Sequence, residues 1–356
     1  VSDAAWAPIE EGDQLAVRCV LMRGGTSRGA FLLADDLPAD PARRERVLLA
    51  IYGSPDPRQI DGIGGADPLT SKVAIVSRSK RPGADVDYLF GQVRIDEPVV
   101  DYRGNCGNML AAVGPFAIDE GLVPTSEPVT RVRINNVNTG RLVVAEVPVT
   151  TGRARSRGTT TTAGVPGTGA GIRLDFSATG ATLGRGVLPT GSPRDELDLG
   201  GGASCSVSIV DAGAPSVFVA AGDLGLAGTL LARPLELAAI ERLTAIRAAA
   251  AAGLGLVGDP VLAATESPTV PKVYAVQEPA DFVDPLGRTI LAAETTLCGR
   301  GLSMGRPHGA YATTVAIATA AAAQIPGTVV AELAAAGDGD REVRIGHPGG
   351  VTCVEI

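Results

Sequence analysis

Residues 102–123, YRGNCGNMLAAVGPFAIDEGLV, decide how the rest of the chain is read. From Asn108 to about Glu120 the run is nearly all apolar, with no polar stripe to turn toward water. That pattern predicts a helix enclosed by sheet on most sides rather than one lying on a surface. The start of the run is different. Gly104, Asn105, Gly107 and Asn108 surround Cys106 with residues that bare the backbone, tolerate unusual φ/ψ and supply hydrogen-bond donors. A cysteine in a core is ordinarily a small hydrophobe. One set in such a loop has the surroundings of a working thiol, and a helix start favours the thiolate form.

The texture around this helix occurs twice. LAVRCVLMRGG, GAFLLADDL, SKVAIVSRS, DVDYLFGQVRI and VTRVRINNVNTGRLVVAEVPV alternate with period two and are bounded by Gly, Asn, Asp or Pro, so they read as strands, and DPARRERVLLAIYG reads as a helix between them. The Gly-, Thr- and Arg-rich stretch from Thr151 to Thr162 reads as a surface linker. Beyond it, CSVSIVDAGAPSVFVAAGDLG and TVPKVYAVQEP are strand-like and RPLELAAIERLTAIRAAAAAGLG is an amphipathic helix. GRPHGAYATTVAIATAAAAQIPGTVV then gives another almost wholly apolar helix, starting around His308 and ended by Ile325-Pro-Gly. The expectation is an α/β (α+β) protein of two similar domains, 1–184 and 185–356, each with strands around one buried helix, the product of an old internal duplication. A chain of 356 residues is also longer than a single core usually supports.

Composition narrows the function. Hydrophobic residues are 45% and charged residues 20%, while aromatics are only 3%, leaving few platforms for stacking on bases or sugars. A net charge of -8 argues against a nucleic-acid or anionic-membrane surface, so an anionic ligand would have to be held by local dipoles. The cysteines, at 19, 106, 205, 298 and 353, are odd in number and show no CxxC spacing, which suggests neither a disulfide framework nor a zinc site. With only His308 and His347, a histidine-rich metal centre is excluded and no metal is expected. The opening VSDAAWAPIEEGDQ has no basic n-region or apolar run, and no stretch reads as a membrane span, so a cytoplasmic setting is the expectation.

Helices that start in Gly/Asn-rich loops present free N–H groups and a positive dipole end. Two such starts facing one another would hold a carboxylate without a net basic protein. Cys106 stands at one, and His308 with Ser303, Met304 and Gly305 near the other. Two further loops have the same character. MRGGTSRGAF joins a diglycine to Thr26, Ser27 and Arg28, and IDGIGGADPLTSKVAIV joins one, including Gly65, to Thr70, Ser71 and Lys72. Neither has the order of a P-loop or of a dinucleotide fingerprint. Lys72, just before the strand VAIV, is a candidate general base in a semi-buried site. Cys19, Cys205 and Cys353 fall in strand-like runs and are expected to pack, and His347 is expected to be structural at a turn.

In collinear order, MRGGTSRGAF, IDGIGGADPLTSKVAIV, GNCGNM, NNVNTG, GVPGTGA, LPTG, SIVDAGAPSVFV, SMGRPH, IPGT and GHPGG resemble the PrpF family, from about residue 17 to the C-terminus. That family comprises 2-methylaconitate cis-trans isomerase and relatives such as methylitaconate Δ-isomerase, aconitate Δ-isomerase and 4-oxalomesaconate tautomerase. The resemblance implies a diaminopimelate-epimerase-like fold with the active site in the cleft between two pseudo-symmetric domains. It also implies no cofactor, and unsaturated di- or tricarboxylates as substrates. It places the catalytic lysine on Lys72 and the thiol on Cys106, with Thr26, Ser27, Arg28, Gly65, Ser71, Asn105, Gly107, Asn108, Ser303, Met304, Gly305 and His308 toward substrate. Two positions depart from the family pattern. Arg28 stands where a lysine is common, and Pro307-His308 where two adjacent histidines are common, so the identity of the acid stays open.

Two rival readings remain. A racemase or epimerase of the same fold would exchange a proton between opposed cysteines, and Cys298 superficially offers the second thiol, although it lies well before the expected start of the second apolar helix. A non-catalytic acid-binding module or dehydratase accessory is the other. A homodimer or homotetramer is compatible with either.

Overall fold

The structure, a computed structural model, describes residues 9–11, 14–303, 305–335 and 342–356. It divides into two compact units, Val1–Thr160 with Thr168–Ala178 and Thr161–Gly167 with Thr179–Ile356. In the first unit the principal elements are β1 (Val20–Gly24), β2 (Ser27–Leu33), α1 (Pro41–Tyr52), β3 (Lys72–Arg78), β4 (Val86–Val93), β5 (Val100–Asp101), α2 (Gly107–Asp119), β6 (Val129–Asn136) and β7 (Arg141–Thr150). The main sheet order is β1–β2–β3–β4–β6–β7, with β5 beside β4. Successive neighbours along that order are antiparallel, parallel, antiparallel, parallel and antiparallel.

The second unit contains β8 (Asp195–Gly200), β9 (Ala203–Ala212), β10 (Ala214–Ala220), α3 (Leu237–Gly253), β11 (Lys272–Gln277), β12 (Leu297–Ser303), α4 (Thr313–Ala323), β13 (Glu342–His347) and β14 (Gly350–Glu355). From β9 to β14 the pairings again run antiparallel, parallel, antiparallel, parallel, antiparallel. Parallel neighbours need a crossover, usually helical. In each unit the first crossover includes a long helix, α1 or α3, and the second includes the apolar helix, α2 or α4. The duplication expected from texture is therefore present as repeated topology.

Local chemistry explains the helices. α1 begins where the Asp40 side chain accepts from Arg43 N at 2.7 Å, has Pro41 in its first turn, and stops at Gly53 with φ 71°. α2 is buried along nearly its whole length and forms one core with Phe31, Ala74, Val76, Tyr88, Phe90, Ile134 and Ala145 of the surrounding strands. The opposite face of β3, through Val73 and Ile75, packs in a second core with Leu48 and Tyr52 of α1. A continuous apolar run on β3 is thus a strand covered on both faces.

Three expectations are corrected. α4 starts at Thr313, not around His308, because Arg306–Pro307 first turns back to pair with β12 and Ala312 is still extended. His308 therefore precedes the helix instead of starting it. Cys19 and Cys353 are exposed rather than packed, Cys19 lying between strands and Cys353 on the terminal strand β14, while Cys205 is buried on β9. Among the described residues no helix is long and apolar enough to cross a membrane, and no cluster of His, Cys, Asp and Glu could hold a metal ion.

His347 is structural. Its Nδ1 accepts from Gly349 N at 3.1 Å, and Nε2 lies 2.9 Å from the Thr352 hydroxyl. Burial, helped by His308 nearby, pushes its pKa down to about 3. Below an ordinary value of about 6.5 the unfolded chain takes up a proton that the folded chain refuses, so stability is constant above that pH and falls through the window down to about 3. We expect wild type to lose up to about 1.4 kcal/mol per pH unit in that window relative to His347→Gln. Urea midpoints of the two proteins at pH 7.5 and 4.5 check it, and parallel losses would refute the assignment.

Candidate active site

Strand register gathers the first group of residues. Lys72 lies opposite Gln92 on β4 and opposite Gly29 on β2, two residues from the Ala74, Phe90 and Phe31 row that packs against α2. Side chains alternate along a strand, so Lys72 and Gln92, with Ser27 two residues before Gly29, face the α2 side of the sheet. Cys106 belongs to the same core.

Lys72 is buried. Its amine donates to Gln92 Oε1 at 2.7 Å and stands 5.4 Å from the centroid of the Phe90 ring. Gln92 is itself fixed, since Nε2 donates to Ser71 O at 2.8 Å and Pro68 O at 3.2 Å. Those two bonds settle which end of the amide meets the lysine. Beneath the site, the Tyr52 hydroxyl accepts from Ala30 N at 2.8 Å and donates to Lys72 O, so α1 ties β2 to β3 where Lys72 begins. Burial pushes the Tyr52 phenol well up, which keeps it a donor.

Cys106 is the N-cap residue of α2, with φ −127°, and its side chain makes no capping bond. Its Sγ lies 4.0 Å from Ser27 Oγ. The approach depends on the diglycine before Ser27. A Cβ on Gly24 would stand 2.5 Å from Asn108 O, and one on Gly25, at φ +52°, 2.7 Å from Asn108 Oδ1. Only bare backbone lets the β1–β2 turn lie on the first turn of α2, where Thr26 Oγ1 accepts from Asn108 Nδ2 at 2.9 Å. On the other side, Asn105 Oδ1 accepts from Asn136 Nδ2 at 2.7 Å. Asn138 clamps the strand below through bonds to Phe90 N and O and to Tyr102 O.

Arg28 donates from its backbone N to Leu69 O at 2.8 Å, and its half-buried side chain passes over Gly65, where a Cβ would come within 2.9 Å of the guanidinium. The Arg28 Nε is buried without a hydrogen-bond partner among the described residues. Ser71 is differently occupied. It is buried, and its hydroxyl is taken by Gln59 Oε1 at 2.8 Å and Asp67 O at 2.9 Å, so it braces the loop ahead of Lys72.

The remaining candidates lie in the second unit. Ser303 ends β12 and pairs with Arg306 across a tight turn that includes Gly305 at φ 74°. Met304 lies outside the described residues. His308 donates its backbone N–H to Gly301 O at 2.9 Å, and its Nδ1 contacts Ala310 O. Cys298 is buried beside Phe282 and Ile290, and burial pushes its thiol pKa up, surroundings that do not suit a second acid–base cysteine. Gln92, Tyr52 and Asn138 were not singled out in the sequence. Gln92 did leave a signal: it is the polar residue that follows Val86, Tyr88 and Phe90 on the apolar parity of β4.

Comparison with known proteins places nearly the whole chain among relatives. The family model described as "PrpF protein" matches residues 14–356. The chain is 48% identical over 344 residues to "3-methylitaconate isomerase" of Eubacterium barkeri, covering 95% of this chain and 90% of that protein. It is 44% identical over 347 residues to "4-oxalomesaconate tautomerase" of Pseudomonas putida, covering 96% and 90%. The crystal structure of a methylitaconate-delta-isomerase superposes with a TM-score of 0.79 at 45% identity, covering 95% of this chain and 88% of that one.

Removing the Tyr52 hydroxyl would leave the buried Ala30 N–H and Lys72 carbonyl without it. Tyr52→Phe is expected to cost about 1–3 kcal/mol of stability, measured by chemical denaturation; an unchanged midpoint would mean that the hydroxyl does not tie the strands.

Proposed function

The chain belongs to the PrpF family, and from that premise we propose that it is a cofactor-independent isomerase that moves a proton along the allylic system of an unsaturated di- or tricarboxylic acid. The observation that carries this reading is the Lys72 amine, buried on a neutral amide acceptor on the sheet face that packs against α2, whose first residue follows Cys106. A base of this kind needs a lone pair and an orientation, and a glutamine partner supplies the second without a charge that would tie up the first.

The chemistry follows from that arrangement. A proton on the carbon next to the C=C is acidified because the resulting carbanion delocalises through the double bond onto a carboxylate. Lys72 takes this proton and becomes an ammonium, leaving a dienolate. Return of a proton at the far end of the allyl unit shifts the double bond. Return at the original carbon after rotation exchanges cis and trans. Cys106 is positioned by the α2 start to give or accept the second proton. The positive end of the α2 dipole, at the N-cap Cys106 whose side chain makes no capping bond, together with the hydroxyls of Thr26 and Ser27, would stabilise charge on the carboxylate. Arg28, whose Nη2 passes over Gly65 and whose Nε has no hydrogen-bond partner among the described residues, is assigned a substrate carboxylate, and Asn105 holds the loop in register.

Keto–enol tautomerisation of a 4-oxalomesaconate-type acid is the second reading. It uses the same two proton transfers, and the tautomerase relative at 44% identity favours keeping it. Proton NMR in D2O with cis- and trans-aconitate, 2-methylaconitate, methylitaconate and 4-oxalomesaconate decides between them. We expect wild type to shift or exchange protons of one acid, Lys72→Ala to lose at least about 100-fold in rate, and Cys106→Ser to separate proton delivery from orientation. Absence of exchange in every acid would refute the isomerase; exchange at an amino-acid α-carbon would point to a racemase.

A further inference from the structure

We propose that Gln92 is the positioning residue for Lys72: a fixed, neutral amide that aims the amine on the α2 face and keeps a carboxylate out of its reach. The inference rests on Lys72 as the base and deepens that reading. Lys72, Gln92 and Asp101 are successive cross-strand partners on β3, β4 and β5. Directly opposed residues of neighbouring strands put their side chains on one face, so a buried carboxylate stands in the same row as the lysine, one strand further on. Gln92 occupies the position between them.

Asp101 and the Gln92 amide are both constrained in a way that fits this role. Asp101 is occupied by Arg103, its Oδ1 accepting from the Arg103 N and Nε at 2.9 Å each and its Oδ2 from Nη2 at 3.1 Å. On the other side, flipping the Gln92 amide to present Nε2 to Lys72 would break both bonds to the Pro68 and Ser71 carbonyls. The amine therefore meets an acceptor without charge. Other charged or titratable groups on the elements around Lys72 are accounted for. Tyr52 of α1 binds the Lys72 carbonyl, Asp36 after β2 pairs with Arg18, and the Asp67 carboxylate accepts from Leu69 N at 2.7 Å. Asp87 of β4 accepts from Ser79 Oγ and Asn135 Nδ2, Glu45 of α1 from Val100 N, and Asp119 of α2 from Ala154 N. Arg28 on β2, Tyr88 on β4, whose hydroxyl donates to Cys106 O, and Cys106 before α2 are not carboxylates. A glutamate at 92 would place a negative charge against the amine and favour its ammonium form, which cannot act as a base.

The sequence has only three lysines, Lys72, Lys80 and Lys272, so the titration of Lys72 can be followed directly by NMR of protein carrying 13C at the lysine ε-carbon, with Lys72→Ala to identify its signal. In Gln92→Glu the Lys72 midpoint should rise by about one to three pH units, with Lys80 and Lys272 unmoved. On the acid that wild type turns over, the acidic limb of kcat/KM should rise with it, so that activity lost near neutral pH returns at high pH. In Gln92→Met, which keeps length but has no acceptor or charge, the midpoint should not rise, and kcat should fall about 100-fold at every pH with little change in KM. A Lys72 midpoint in Gln92→Glu equal to that of wild type overturns the proposal. So does full kcat in Gln92→Met, which decides alone should the glutamate variant not fold. Failure of wild type on every unsaturated acid would count against the isomerase and leave the NMR comparison to judge Gln92.

Discussion

A helix with no polar face must be enclosed, and this constraint organises the first unit. α2 is buried by strands of one sheet, and one apolar face of β2, β3, β4, β6 and β7 covers it. The part of it that brings a cysteine to the sheet is its start, where the N-cap Cys106 makes no side-chain capping bond. Enclosure dictates where polar chemistry can occur. The polar side chains of that face, Ser27, Lys72 and Gln92, lie toward one end of their strands, beyond the apolar rows that cover the helix. The second unit repeats the topology around α4, but a hairpin and a bend precede that helix, so its approach is built differently.

Within the site, polar groups are held by other polar groups rather than by ion pairs. Lys72 rests on Gln92, Gln92 on two carbonyls, Ser71 on Gln59, Asn105 on Asn136, and Asn108 on Thr26. Neutral partners suit a site meant to receive an anion, since a carboxylate near the lysine would both compete with substrate and hold the amine protonated. In the proposed function they also reconcile a protein of net charge -8 with an acidic substrate, because the attraction is assigned to a helix end and one guanidinium.

Much of this was legible in the chain itself. Period-two runs gave the strands, an unbroken apolar run following Gly and Asn gave α2 with Cys106 before it, and collinear motifs gave the family. These signals are local, and local backbone chemistry is what a sequence states directly. Where the same logic failed, a short stretch could follow either of two paths: Arg306–Pro307 pairs back on β12 instead of joining α4, and Cys19 and Cys353 are exposed although their runs read as strands.

The sequence by itself determined that two helices must be buried among strands, that a thiol stands before one of them, and that a lysine opens a strand-like apolar run. Only the tertiary structure decided which groups meet. Lys72 and Gln92 are partners because β3 and β4 pair in one particular register, and shifting it by one residue would send each side chain to the opposite face. Ser27 meets Cys106 because Gly24 and Gly25 lack the atoms that would keep the turn off the helix. Pairing register and close approach join residues far apart in the chain, and neither is written in the local pattern.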